Sequence, residues 1–142
     1  MQIDVDFPGG VRVDAHFGAF TVHTDQSVSD GGTGSAPSPF DMFLASTATC
    51  AGFYVARFCQ QRGIDSAGLH LVQQLEVDPA SGHVTQIQIE IQLPASFPEK
   101  YKTAVIRAAQ QCTVKKHLEQ PPTFAIVTSQ REASALPEPV AG

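Results

Sequence analysis

The run SPFDMFLASTATCAGFYVARFCQQRG, residues 38–63, decides the architecture of this chain. Ser38 can cap a helix, Pro39 stands where a missing N–H costs nothing, and Asp41 completes a variant capping box three residues after the cap. The pattern predicts a helix from Pro39 to about Arg62, with Gly63 as its stop. Phe43, Leu44, Ala51, Phe53, Tyr54, Val55 and Phe58 face almost every direction around it, so the helix must be central to the molecule or shared with a second chain. Its uncharged part, Met42–Ala56, includes Ser46, Thr47, Thr49 and Gly52, which favours a buried helix over a membrane span of roughly 18 apolar residues.

Strand patterns flank this helix. Ile3, Val5 and Phe7 alternate with polar residues, Pro8-Gly9-Gly10 offers a turn, and Val11, Val13 and Ala15 resume the alternation. After Gly18 come Phe20 and Val22, which completes an antiparallel meander, and residues 25–37 form a loop. Beyond the helix, Leu69, Leu71 and Leu75–Val77 lead to a turn at Pro79–Gly82. Ile87, Ile89, Ile91 and Leu93 then alternate with Gln86, Gln88, Glu90 and Gln92. Ser96 and Glu99 have capping-box spacing before a helical stripe of Tyr101, Val105, Ala108 and Ala109. Cys112-Thr113-Val114 interrupts it, a short helix runs to Glu119, and Phe124, Ile126 and Val127 after Pro121-Pro122 suggest a last strand. The expected order is βββ-α-ββ-α-α-β, an α+β fold with antiparallel pairing in a single domain over residues 1–131, with residues 132–142 as a loosely held tail.

Composition narrows the functional classes. A chain of 142 residues buries close to two-thirds of its unfolded surface, so no disulfide scaffold is needed. A net charge of −5, with nine Lys plus Arg and no basic run beyond Lys115, Lys116 and His117, argues against a nucleic-acid surface. Three cysteines and no signal-peptide pattern suggest a reducing, cytoplasmic setting without a membrane partner. His16, His23, His70, His83 and His117 are scattered without metal-ligand spacing, so neither a metal nor another cofactor is expected. There is no G-x-S-x-G elbow, and Gly32-Thr33-Gly34 lacks the strand and third glycine of a dinucleotide loop.

The cysteines remain. Nine helical residues turn the chain by about 900°, which puts Cys50 and Cys59 on opposite faces, too far apart to bridge. Cys50 reads as a small core residue or as a thiol with open space beside Ala48, Thr49, Ala51 and Gly52, where mid-helix glycine suggests a close neighbour. Cys112 lies at a helix junction, where exposed N–H groups and the nearby Lys115 and Lys116 would favour thiolate; an ordinary junction is the alternative. Cys59 has only packing to recommend it.

Two segments, SAPSPFDMFLASTATCAGFYV (residues 35–55) and AAQQCTVKKHLEQPPTFAIV (residues 108–127), resemble the signature segments of the OsmC/Ohr family, the osmotically inducible and organic hydroperoxide resistance proteins. The resemblance implies an intertwined α+β homodimer with long central helices and active sites at the subunit interface. It implies a thiol-dependent peroxidase in which Cys50 attacks an organic hydroperoxide and Cys112 resolves the sulfenic acid as a disulfide, later reduced by an external thiol. In the peroxidase branches an arginine held by a glutamate activates the first cysteine. Here Phe40 occupies the glutamate position, Asp41 follows it and suits capping, and Arg12 is the one arginine that can be matched loosely to the family's N-terminal arginine. Phe40, Phe43, Phe53 and Tyr54 would supply an apolar substrate wall. A non-enzymatic dimer holding a small apolar or lipid-like ligand, and a thiol carrier or regulator of disulfide state, are the alternatives.

Overall fold

The computed structural model describes residues 1–130; the expected tail, 132–142, lies outside them. Strands β1 (Asp4–Gly9), β2 (Arg12–Phe17) and β3 (Phe20–Thr24) form an antiparallel meander in which Val5 faces Ala15 and Phe17 faces Phe20. Helix α1 (Pro39–Gln61) follows, then a hairpin of β4 (His70–Val77) and β5 (Val84–Gln92), and then α2 (Lys102–Ala109) and α3 (Thr113–Glu119). The α+β class, the antiparallel pairing and the element order through α3 match the sequence reading.

Local chemistry explains both ends of α1. Ser38 Oγ accepts the Asp41 N–H at 3.1 Å, while Asp41 Oδ2 accepts the Ser38 N–H at 2.9 Å, so two otherwise orphaned donors are satisfied reciprocally. At the other end Gly63 has φ 62°, and the Ile64 N–H reaches back to the Cys59 carbonyl at 3.0 Å, which closes the helix. The core lies below one face of α1, where Val55, Phe58 and Cys59 pack with Phe97 and Val105. Tyr101 meets the Phe58 ring edge-on at 5.8 Å, and the Arg62 guanidinium covers that ring at 3.8 Å.

Three expectations change. The all-round apolar helix is buried on one face only: Phe40 and Phe53 are 53% and 55% exposed, and Met42 is also open. The Ser96–Glu99 capping box does not form. Instead Phe97 turns on the Pro94 carbonyl, and a short 3-10 turn, Glu99–Tyr101, opens α2 without a side-chain cap. Phe124, Ile126 and Val127 make no strand, because among the described residues no strand lies beside them to complete the ladder; Ile126 is 96% exposed.

The loop that delivers the chain to α1 is tied around one buried carboxylate. Asp25 accepts hydrogen bonds from the backbone and hydroxyl of Thr33 and of Ser35, and from the Gln26 N–H, and its own N–H bonds to the Pro37 carbonyl. Those donors, the Thr33 hydroxyl foremost, hold its carboxyl well below the usual carboxylate range. A depressed pKa contributes stability that is present above the unfolded value of about 4 and lost only as pH falls through the folded value, so the knot persists down to strong acid. Gly32 has no room for a side chain there: a Cβ would stand 2.0 Å from the Gln26 carbonyl oxygen. Gly32→Ala is therefore expected to destabilise the fold by about 1–3 kcal/mol, measured by urea unfolding.

Candidate active site

The site forms where the middle of α1 meets the start of α3. Cys112 is the N-cap of α3, its sulfur accepting the Lys115 N–H at 3.4 Å. On its other side the Cys112 thiol points to the Thr47 carbonyl at 3.9 Å. Thr47 and Ala51 are buried in α1, and Cys50 beside them is only partly covered. Cys50 and Cys112 are both free thiols, and each side chain acts on the proton affinity of the other. Sixty-one residues of intervening chain thus return a second thiol to the neighbourhood of the first.

The two sulfurs differ in their proton affinity. Burial pushes the Cys50 thiol up, but the Val114 N–H, the Cys112 thiol and the Thr113 N–H together outweigh it and leave Cys50 below the ordinary thiol value. Cys112 is pushed up, first by burial and then by donating to Cys50 and facing its charge; the Lys115 N–H offsets only part of this. The helix junction alone favoured thiolate at Cys112, whereas the family resemblance made Cys50 the attacking thiol; the lowering falls on Cys50, where the Val114 and Thr113 N–H groups act, while Cys112 is nearly sealed at 3% exposure. Cys59 is raised by burial on the opposite side of α1, among Val55, Phe58 and Phe97.

The other expected site residues divide. Arg12 lies on the meander with its guanidinium toward the Pro8 and Gly9 carbonyls, at 3.4 and 3.5 Å. Asp41 serves the capping box alone. Among the described residues no cation contributes to the lowering at Cys50; backbone donors and a thiol do so. Phe40 and Phe43 stack at 5.6 Å and line a cavity of about 600 Å³ with the β4–β5 turn. Phe53 and Tyr54, in edge contact at 5.1 Å, lie outside that cavity, so one chain does not gather the four aromatics into a single wall. Nor does Gly52 admit a close neighbour, since a Cβ there would meet only Leu71 at 3.9 Å.

Two features escaped the sequence reading. One is Gln73, which receives the Thr47 hydroxyl at 2.6 Å and donates to the Leu44 carbonyl at 3.0 Å, pinning α1 to β4 just behind Cys112. Its signal was a polar residue interrupting the dry alternation of Leu71 and Leu75, whose cross-strand partners are Ile91 and Ile87. The other is a cavity of about 720 Å³ beside Cys112, walled by Ile87, Ile89, Ile91, Val105 and Ile106, with Lys102, Lys115 and Glu90 also among its lining residues. Lys102 is paired with Glu99 and Lys115 with Glu119.

The asymmetry of the thiols can be measured. Iodoacetamide at pH 7–8 should label Cys50 well before Cys59 or Cys112, and Cys59→Ser should leave that labelling unchanged. Equal labelling of all three in the folded protein would refute it.

A family model for OsmC-like proteins matches residues 32–127. Among solved structures the chain is similar to an osmotic stress induced and detoxification response protein of Psychrobacter arcticus 273-4, with 24% identity, 82% of this chain and 86% of that chain covered, and a TM-score of 0.69. It is also similar to an organic hydroperoxide resistance protein OsmC of Legionella pneumophila, with 16% identity, 83% and 89% covered, and a TM-score of 0.50. No curated protein matches. At these identities the solved structures speak for the fold, and the family model spans both cysteines and well over half of the chain: it belongs to the OsmC-like family.

Proposed function

We propose that this chain is a thiol-dependent peroxidase acting on organic hydroperoxides, and one observation carries the reading: the fold brings the buried Cys112 thiol, through its contact with the Thr47 carbonyl, to the turn of α1 that carries the partly covered free thiol of Cys50. The Cys50 thiolate attacks the peroxide oxygen, the O–O bond breaks, and the alkoxide leaves as alcohol after taking a proton. The resulting sulfenic acid on Cys50 condenses with Cys112, releasing water and forming the disulfide, which an external dithiol then reduces. Cys112 meets α1 at Thr47, one turn before Cys50, so a disulfide with its S–S bond of about 2.05 Å would join two neighbouring positions of the fold. The likeness to a protein named for organic hydroperoxide resistance supports the same reading.

A homodimer is part of the proposal. The open face of α1, the fully exposed β1 and the exposed Phe124, Ile126 and Val127 leave more apolar surface uncovered than a stable monomer tolerates. Sedimentation equilibrium at micromolar concentration should give twice the chain mass; a stable monomer would count against it.

A second reading, an apolar or lipid-like ligand held without turnover, is favoured by the 720 Å³ cavity beside Cys112. Peroxide chemistry separates the two. One equivalent of cumene hydroperoxide should convert reduced protein to a Cys50–Cys112 disulfide, seen by peptide mass mapping. Cys112→Ser should stop at the sulfenic acid and over-oxidise with excess peroxide. If Cys50 titrates as an ordinary thiol and no disulfide forms, the enzyme reading gives way to the ligand-binding one.

A further inference from the structure

We propose that Tyr54 is a positioning residue for the thiol pair, its hydroxyl tying the start of α3 to the face of α1 that carries Cys50. The proposal rests on Cys50 being the reactive thiol and adds what holds it so. Tyr54 stands one helical turn after Cys50, so the two side chains share a face of α1. Thr113 directly follows Cys112. The Tyr54 and Thr113 hydroxyls share a hydrogen bond of 2.9 Å, the one hydrogen bond between two side chains that joins α1 to α3 among the described residues. The edge contact with Phe53 steadies the tyrosine ring.

The tie matters because α3 is only Thr113–Glu119, too short to hold its own position without outside contacts. The N–H groups of Thr113 and Val114 that act on Cys50 belong to its first turn, and Thr113 is the residue that Tyr54 grips. Hydrogen bonds weaken steeply with misalignment, so a small drift of this turn withdraws both donors from the sulfur. The nearby titratable groups are accounted for. Lys115 is paired with Glu119, Lys116 with the Gln111 side chain, and His117 Nδ1 with the Thr113 carbonyl at 2.8 Å, while Arg57 lies two turns beyond Cys50 on α1. Tyr54 had been expected to line a substrate wall; its hydroxyl is committed to the tie.

The test is the pH profile of Cys50 alkylation by iodoacetamide, read by mass spectrometry of the Cys50 peptide in the full chain, with folding checked by circular dichroism. Tyr54→Phe and Thr113→Val should each raise the pH of half-maximal reaction by about half a unit, a rate about threefold lower at neutral pH. The double variant should lose no more than either single one, and Thr113→Ser, which keeps the hydroxyl, should restore the profile. A purely structural role would lower the melting temperature and leave the profile in place. An unchanged profile in folded Tyr54→Phe, or in folded Thr113→Val where the first variant does not fold, overturns the proposal. Alkylation needs no peroxide turnover: a protein inert to cumene hydroperoxide whose profile still moves refutes the peroxidase and supports the tie.

Discussion

The contact between Cys50 and the first residues of α3 is the constraint on which the site depends. It joins positions that the sequence keeps far apart, and it has to be held from both sides. From α1 the capping box at Ser38 and Asp41 and the Gln73 bonds to Thr47 and Leu44 fix where the helix begins and which way it faces. From α3 the Cys112 sulfur caps its own helix and reaches the Thr47 carbonyl. The second thiol is thereby a structural cap, and on the peroxidase proposal the chemical partner of Cys50 as well.

Burial alone would raise both sulfurs, so what separates them is geometry. Cys112 is the more deeply buried sulfur and is raised further by the Cys50 side chain and its charge, whereas at Cys50 the Val114 and Thr113 N–H groups and the Cys112 side chain outweigh burial. The result is a lowered and a raised thiol on one site, with no guanidinium contributing among the described residues. Backbone donors have a physical advantage here: they carry no long side chain to immobilise and are fixed once the turn is fixed. That is compatible with Phe40 at the position where the family resemblance implies a glutamate, because backbone donors need no acid to orient them.

Much of this was legible before any coordinates. The caps of α1, the opposite faces of Cys50 and Cys59, the meander and the dry face of β5 follow from local rules of period and capping, and each is where those rules put it. What was not legible depends on distance along the chain. No local pattern says that the N–H groups following Cys112 will serve Cys50, so the helix junction pointed to Cys112 and only the family resemblance pointed to Cys50. The Ser96–Glu99 spacing failed because Pro94 and Pro98 impose their own turn. Gln73 was passed over because its partners lie on another element, although a lone amide on an otherwise dry strand face is the kind of mark a buried polar contact leaves.

The last strand fails for a related reason, and it bears on how the site works. A strand is a property of two chain segments, and among the described residues Phe124–Val127 has no partner. The open face of α1 poses the same difficulty in helical form. Cys50 sits at the edge of that face, partly covered, with Phe53 exposed one turn away. Whatever covers this face therefore also bounds the approach to Cys50. On the peroxidase proposal, a cover that sealed the face completely would leave the thiol unreachable, and one that left it bare would expose its sulfenic acid to further oxidation, so the proposal requires a cover that is partial.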